Sequence, residues 1–147
     1  MRICLQRVSR ASVKIRDEES RVIGAGLVLL VGIGKGDDEK TAAALAAKVA
    51  HLRIFEDEAG RMNLSALEVG AEILAISQFT LYADCRRGRR PSFTNASAPE
   101  VSEPLYRAFV NALKNFDFRV EQGEFGAHMK VEIHNDGPVT IWLDSDD

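Results

Sequence analysis

Apolar and polar residues alternate through Met1 to Ile15, "MRICLQRVSRASVKI", and this two-residue period predicts one or two β-strands. Asp17 to Ser20 is a polar turn, and the apolar, glycine-bounded run Gly24 to Gly34 is predicted as a central buried strand. "GDDEKTAAALAAKVAHL" is alanine-rich with acids at its start, which predicts a helix. Ala43, Ala46, Ala47 and Ala50 would form a narrow face that lets it lie close to a sheet. "RIFEDEAGRMNLS" reads as a hairpin turning at Glu58-Ala59-Gly60, and "AEILAISQFTLYA" as an apolar strand. "DCRRGRRPSFTNASA" is loop. Pro99 to Phe116 is predicted as a second helix, capped by Ser97, with Leu105, Phe109, Ala112, Leu113 and Phe116 on its apolar face. "FRVEQGEF", "HMKVEIH" and "PVTIWLD" are three further strand-like pieces. The expected class is α+β: antiparallel β-sheets curled into a barrel-like core with two outer helices, one domain over residues 1–147.

Between the last two pieces stands Asn135-Asp136-Gly137-Pro138. Proline donates no ladder hydrogen bond, and Gly-Pro is a common turn signal, so an ordinary hairpin turn is one reading. The other is that the Gly137-Pro138 backbone is itself the functional device. The local residues leave both open.

Composition narrows the class. A chain of 147 residues, 46% hydrophobic and 28% charged, is of the soluble globular type. Net charge is −3, which argues against a wholly basic nucleic-acid binder but not against one basic patch. Cys4 and Cys85 form no CxxC pair, so a reducing, cytoplasmic setting fits. The N-terminal residues lack the apolar core of a signal peptide.

Most familiar catalytic patterns fail. "GIGKGDD" lacks the Ser or Thr after its lysine and the leading glycine that a phosphate loop needs. His51, His128 and His134 have no metal-ligand spacing, so a zinc site is not expected, and no GxSxG elbow occurs, so the usual nucleophile-plus-base machinery is not visible. Two stretches remain. In "AISQFTLYAD" an apolar strand runs into Ser77, Gln78 and Thr80; the hydroxyls either satisfy local backbone or build a small polar pocket with exposed N–H groups. In "CRRGRRPSF", Arg86, Arg87, Arg89 and Arg90 fall within five positions around Gly88, followed by Pro91 and Phe93. They form a solvated charge run or an arm that meets phosphates.

"SQFTL" (Ser77–Leu81) and "NDGPVT" (Asn135–Thr140) together resemble the two motifs of the D-aminoacyl-tRNA deacylases. The opening "QRVSRASV", "FEDEAGRMN" and "FGAHMKVEIHNDGPVT" also resemble that family, so the likeness spans the chain. It implies a cytoplasmic, homodimeric, cofactor-free proofreading hydrolase. Such an enzyme cleaves D-amino acids, and glycine mischarged on tRNA(Ala), from the terminal adenosine of tRNA while rejecting L-aminoacyl-tRNA. It implies a cis Gly137-Pro138 pair entering the partner's pocket, with Ser77, Gln78, Phe79 and Thr80 lining the receiving site. Arg7 would hold the Gly-Pro loop, Phe125 and Met129 would lie near the adenosine, and the four arginines would contact tRNA. For the chemistry, backbone N–H groups around Phe79 and Thr80, with help from the substrate's 2′-hydroxyl, compete with Thr80 as a covalent nucleophile. A non-enzymatic RNA-binding module, with Gly137-Pro138 as a plain turn, is the alternative class; the acidic balance and the lack of an aromatic stacking motif weigh against it.

Overall fold

The computed structural model describes residues 1–146. Strands β1 (Arg2–Ile15), β2 (Arg21–Ile23) and β3 (Gly26–Gly32) lead into helix α1 (Glu39–His51). A hairpin of β4 (Arg53–Glu56) and β5 (Met62–Ser65) precedes β6 (Glu72–Ser77), which runs into one 3-10 turn, Phe79–Tyr82. Helix α2 (Pro99–Lys114), β7 (Val120–Gln122) and β8 (Met129–Asp144) complete the order.

The sheet runs β2-β1-β3-β6-β7, with β8 on the other side of β1, and it curls toward a barrel. It is mixed rather than antiparallel throughout: β3 pairs with β6, and β6 with β7, in parallel. The reason is burial on both faces. Leu27, Leu29, Ile73 and Ala75 pack toward the helices, whereas Val28, Leu74 and Ile76 join Val8, Val13 and Ile23 inside the curl. Strands covered on both faces read as continuous apolar runs, which is the habit of parallel pairs.

Asp38 caps α1 by accepting the Thr41 N–H at 2.8 Å, and Glu39 lies in its first turn. Its buried face is Ala42, Leu45, Ala46, Val49 and Ala50; Ala43 is exposed, so the helix is rotated from the alanine face that the sequence suggests. The larger Leu45 and Val49 bury more apolar area and set the rotation. In α2 the cap is Ala98, without a side-chain bond; Ser97 lies one residue further out, its carbonyl accepting Ser102 Oγ at 3.0 Å. Leu105, Phe109 and Leu113 are buried as expected, joined by Ser102, Tyr106 and Val110.

The hairpin reading of Asn135–Pro138 is corrected. "HMKVEIH" and "PVTIWLD" belong to one strand, β8, which follows β1 along both halves. Gln6 faces Thr140 and Val8 faces Asn135, so two steps on β1 oppose five on β8 and three residues are surplus. The four residues Asp136–Val139 thus lie opposite the single Arg7 and form a bulge. Asn135 Nδ2 closes its base by donating to the carbonyls of Arg7 and Val139, each at 3.0 Å. The Gly137–Pro138 bond in this bulge is cis.

Candidate active site

Strand β6 carries apolar residues on both faces as far as Ile76, and the polar residues begin where the strand ends. Tyr106 of α2, only 3% exposed, donates its hydroxyl to the Ala75 carbonyl at 2.9 Å, and the Gly123 N–H donates there too at 3.1 Å. Burial pushes the Tyr106 phenol far above its ordinary value, so it serves as a neutral donor. These bonds fix the strand that delivers Ser77 and Gln78. Beyond it, Gln78 N–H donates to the Val31 carbonyl at 2.7 Å, and the chain tightens into the 3-10 turn. The first N–H groups of such a turn lack partners within it. Among the described residues, those of Phe79 and Thr80 have no backbone acceptor outside it.

A cleft of about 640 Å³ opens here. Ser77, Gln78, Phe79, Phe125 and Met129 all line it, brought together from β6, the 3-10 turn, the loop after β7 and the start of β8. Thr80 is exposed beside the cleft, not among its lining residues, and its Oγ accepts a hydrogen bond from Gln78 Nε2. Among the described residues no histidine, amine or carboxylate bonds to that hydroxyl. Arg7, Gly137 and Pro138 do not line this cleft of their own chain.

Arg7 and the bulge form a second assembly. The Arg7 side chain is almost wholly buried, yet it donates to the Ile54 carbonyl at 2.7 Å and to the Asp136 carbonyl at 3.3 Å. Its charge faces the carboxylates of Asp136 at 3.4 Å and Glu56 at 3.8 Å. Gly137 has φ of +114°, and a Cβ there would stand 2.8 Å from Arg7 Nη2 and 3.0 Å from Val139 Cγ2. Glycine is therefore the residue that fits. The guanidinium holds the bulge from beneath while Gly137 and Pro138 stay exposed.

The arginine-rich segment is more ordered than a flexible arm. Asp84 and Ser92 exchange backbone hydrogen bonds of 2.7 and 2.9 Å, closing a small loop with Gly88 at positive φ. Asp84 also grips Arg86 through Nε at 2.9 Å and Nη2 at 2.6 Å, and those bonds hold its carboxyl far below the usual range. Arg87, Arg89 and Arg90 are exposed. The segment Asp84–Arg90 carries four positive charges and one negative, +3, in a chain of net charge −3. The Lys35 N–H donates to the Asn95 carbonyl and the Ser97 N–H to the Ile33 carbonyl, at 3.2 and 3.0 Å, so the following residues are pinned to the end of β3. This makes Phe93, Ala96 and Ser97 one wall of the cleft.

Phe93, Ser97, Ser102 and His128 therefore join the site without having been singled out as lining residues. Ser102 left a trace, a polar residue on the apolar side of α2. Nothing local marks His128.

The sequence profile of the family D-Tyr-tRNA(Tyr) deacylase matches residues 4–144. The chain belongs to that family. Among its deacylase relatives, the D-aminoacyl-tRNA deacylase of Thermomicrobium roseum is 59% identical over 145 residues, covering 99% of this chain and 94% of that protein. That of Thermosipho africanus is 51% identical, with coverages of 99% and 97%. A solved structure of a c-Myc DNA unwinding element binding protein superposes on the deacylase chain with TM-score 0.91, at 40% identity and 98% coverage of both chains. A probable eukaryotic D-amino acid tRNA deacylase shares the fold alone, with TM-score 0.82 at 17% identity over 97% of each chain.

Proposed function

We propose that the protein is a cytoplasmic, homodimeric proofreading enzyme that hydrolyses the ester between a D-amino acid and the terminal adenosine of tRNA. Glycine mischarged on tRNA(Ala) is a further substrate, because it has no side chain to exclude. The observation that carries this reading is the convergence of Ser77, Gln78, Phe79, Phe125 and Met129 on one cleft in a chain of the deacylase family.

Chirality is the demanding part. D- and L-aminoacyl groups carry the same atoms, and side-chain attraction discriminates by only about 1–3 kcal/mol for a methylene-sized difference. Ten-thousand-fold protection of L-aminoacyl-tRNA requires about 5.5 kcal/mol. A rigid wall of main chain where an L side chain must point supplies repulsion of that order. The Gly137-Pro138 bulge suits the task. It is exposed, apart from its own chain's cleft, and braced by the buried Arg7. Proline restricts its own φ, and glycine leaves room for a close approach. In this reading the bulge of one copy enters the cleft of the other. Strand β8, which among the described residues pairs only with β1, and the half-exposed Trp142 leave surface for such an association.

In the hydrolysis, water adds to the ester carbonyl, the bond to the ribose oxygen breaks, and that oxygen leaves with a proton. The N–H groups of Phe79 and Thr80, without a backbone acceptor outside the turn among the described residues, stabilise the oxyanion, and the substrate's 2′-hydroxyl orients the water. Thr80 is a poor covalent nucleophile, since its oxygen accepts from Gln78 and, among the described residues, no base is bonded to it. The test is release of free amino acid from D- and L-aminoacyl-tRNA by purified protein. Rapid release from the D form alone supports the proposal; none from either supports a nucleic-acid binder instead.

A further inference from the structure

Phe79 and Phe93 meet edge to face, with ring centroids 5.0 Å apart, at the cleft that the preceding reading assigns to the terminal adenosine. Phe79 is 57% exposed, a large apolar surface to leave in water. Phe93 follows directly on the Asp84–Ser92 closure, so one loop presents both the aromatic wall and Arg87, Arg89 and Arg90. Phe93 itself is partly buried, but an accessible aromatic face beside clustered arginines is the combination that binds single-stranded nucleic acid, bases stacking on the ring while phosphates meet the charges.

We infer that the Phe79–Phe93 pair is a stacking platform for the nucleotide immediately 5′ to the terminal adenosine, and that the arginine loop receives the phosphate joining the two. The inference rests on the aminoacyl-adenosine reading of the cleft. Its physical core is that the site extends past one nucleoside along the loop that leaves the cleft. The occupant is a base of either type, because stacking uses the π-face and not the hydrogen-bonding edge. A second copy of the chain is the rival cover for Phe79, and it makes the opposite prediction: an added nucleotide then gains nothing.

The experiment is calorimetric titration with two non-hydrolysable 3′-amide analogues, D-tyrosyl-adenosine and D-tyrosyl-cytidylyl-adenosine. The wild-type protein is expected to bind the dinucleotide analogue about tenfold more tightly. Phe93→Leu, which keeps an apolar contact with Phe79 but removes the ring, is expected to cut that advantage below about threefold. Arg89→Gln with Arg90→Gln is expected to reduce its salt dependence. Equal affinities in the wild type, or an advantage that survives Phe93→Leu, would overturn the inference. Turnover of the matching D-tyrosyl esters, measured separately, reports on the hydrolase reading without touching this one.

Discussion

At the scale of single residues, Arg7 is the clearest case of a buried charge held for a purpose. Removing it leaves the carbonyls of Ile54 and Asp136 without their donor. Arg7→Ala is expected to cost about 3 kcal/mol of stability in chemical denaturation and to lower activity further than the fold loss explains. Gly137→Ala separates shape from stability. The positive φ and the close approach to Arg7 force the bulge to shift, at a folding cost of about 1–2 kcal/mol. Deacylation of D-aminoacyl-tRNA is expected to fall at least about a hundredfold if shape matters to the wall, ~2.8 kcal/mol in the barrier. For Thr80 the expectation is mild. Thr80→Ala keeps the backbone N–H and is expected to reduce kcat by less than about tenfold, whereas a tRNA ending in 2′-deoxyadenosine is expected to lose at least a hundredfold. Abolished single-turnover chemistry in Thr80→Ala, with substrate still bound, would assign the nucleophile to that hydroxyl.

At the scale of elements, the arginine loop joins electrostatics to order. Changing Arg86, Arg87, Arg89 and Arg90 together to Ala is expected to weaken tRNA binding and flatten its dependence on salt, read from affinity at several ionic strengths. Asp84 gives the loop a pH signature. Its carboxyl lies below its unfolded value because Arg86 bonds to the charged form. The Asp84–Arg86 pairing is therefore fully present above about pH 4 and is lost as pH falls through the depressed value. The Arg86 Nε–H signal in NMR is expected to stay protected at pH 5 and to lose protection only in stronger acid. Period-two and helical patterns made most strands and both helices legible, because burial dictates them locally. The union of two pieces into β8 was not legible. Gly-Pro is a turn signal within the chain, and only the register against β1 makes it a bulge. The rotation of α1 escaped for a similar reason, since an alanine-rich helix has many nearly equivalent faces. At the site, Ser77, Gln78 and Thr80 stood out as polar residues closing an apolar strand. Phe93 was not legible as a wall of the cleft, because the distant pairing of Gly34 with Ala96 brings it there, and nothing local marks His128.

At the scale of the whole molecule, one chain holds two separate assemblies: a cleft at the end of β6 and a braced bulge in β8 that does not line it. In the proposed dimer, two copies around a twofold axis would use each assembly twice, each bulge completing the opposite cleft. The most direct measurement is subunit mixing. Ser77→Phe fills the cleft and leaves the bulge intact; Gly137→Ala distorts the bulge and leaves the cleft intact. Each variant alone is expected to be nearly inactive on D-aminoacyl-tRNA. After the two are unfolded and refolded together in equal amounts, about half the dimers are mixed and each has one intact composite site, so activity returns to about a quarter of wild type. A mixture no more active than the separate variants, with mixed dimers demonstrably formed, would contradict the exchange of main chain between copies.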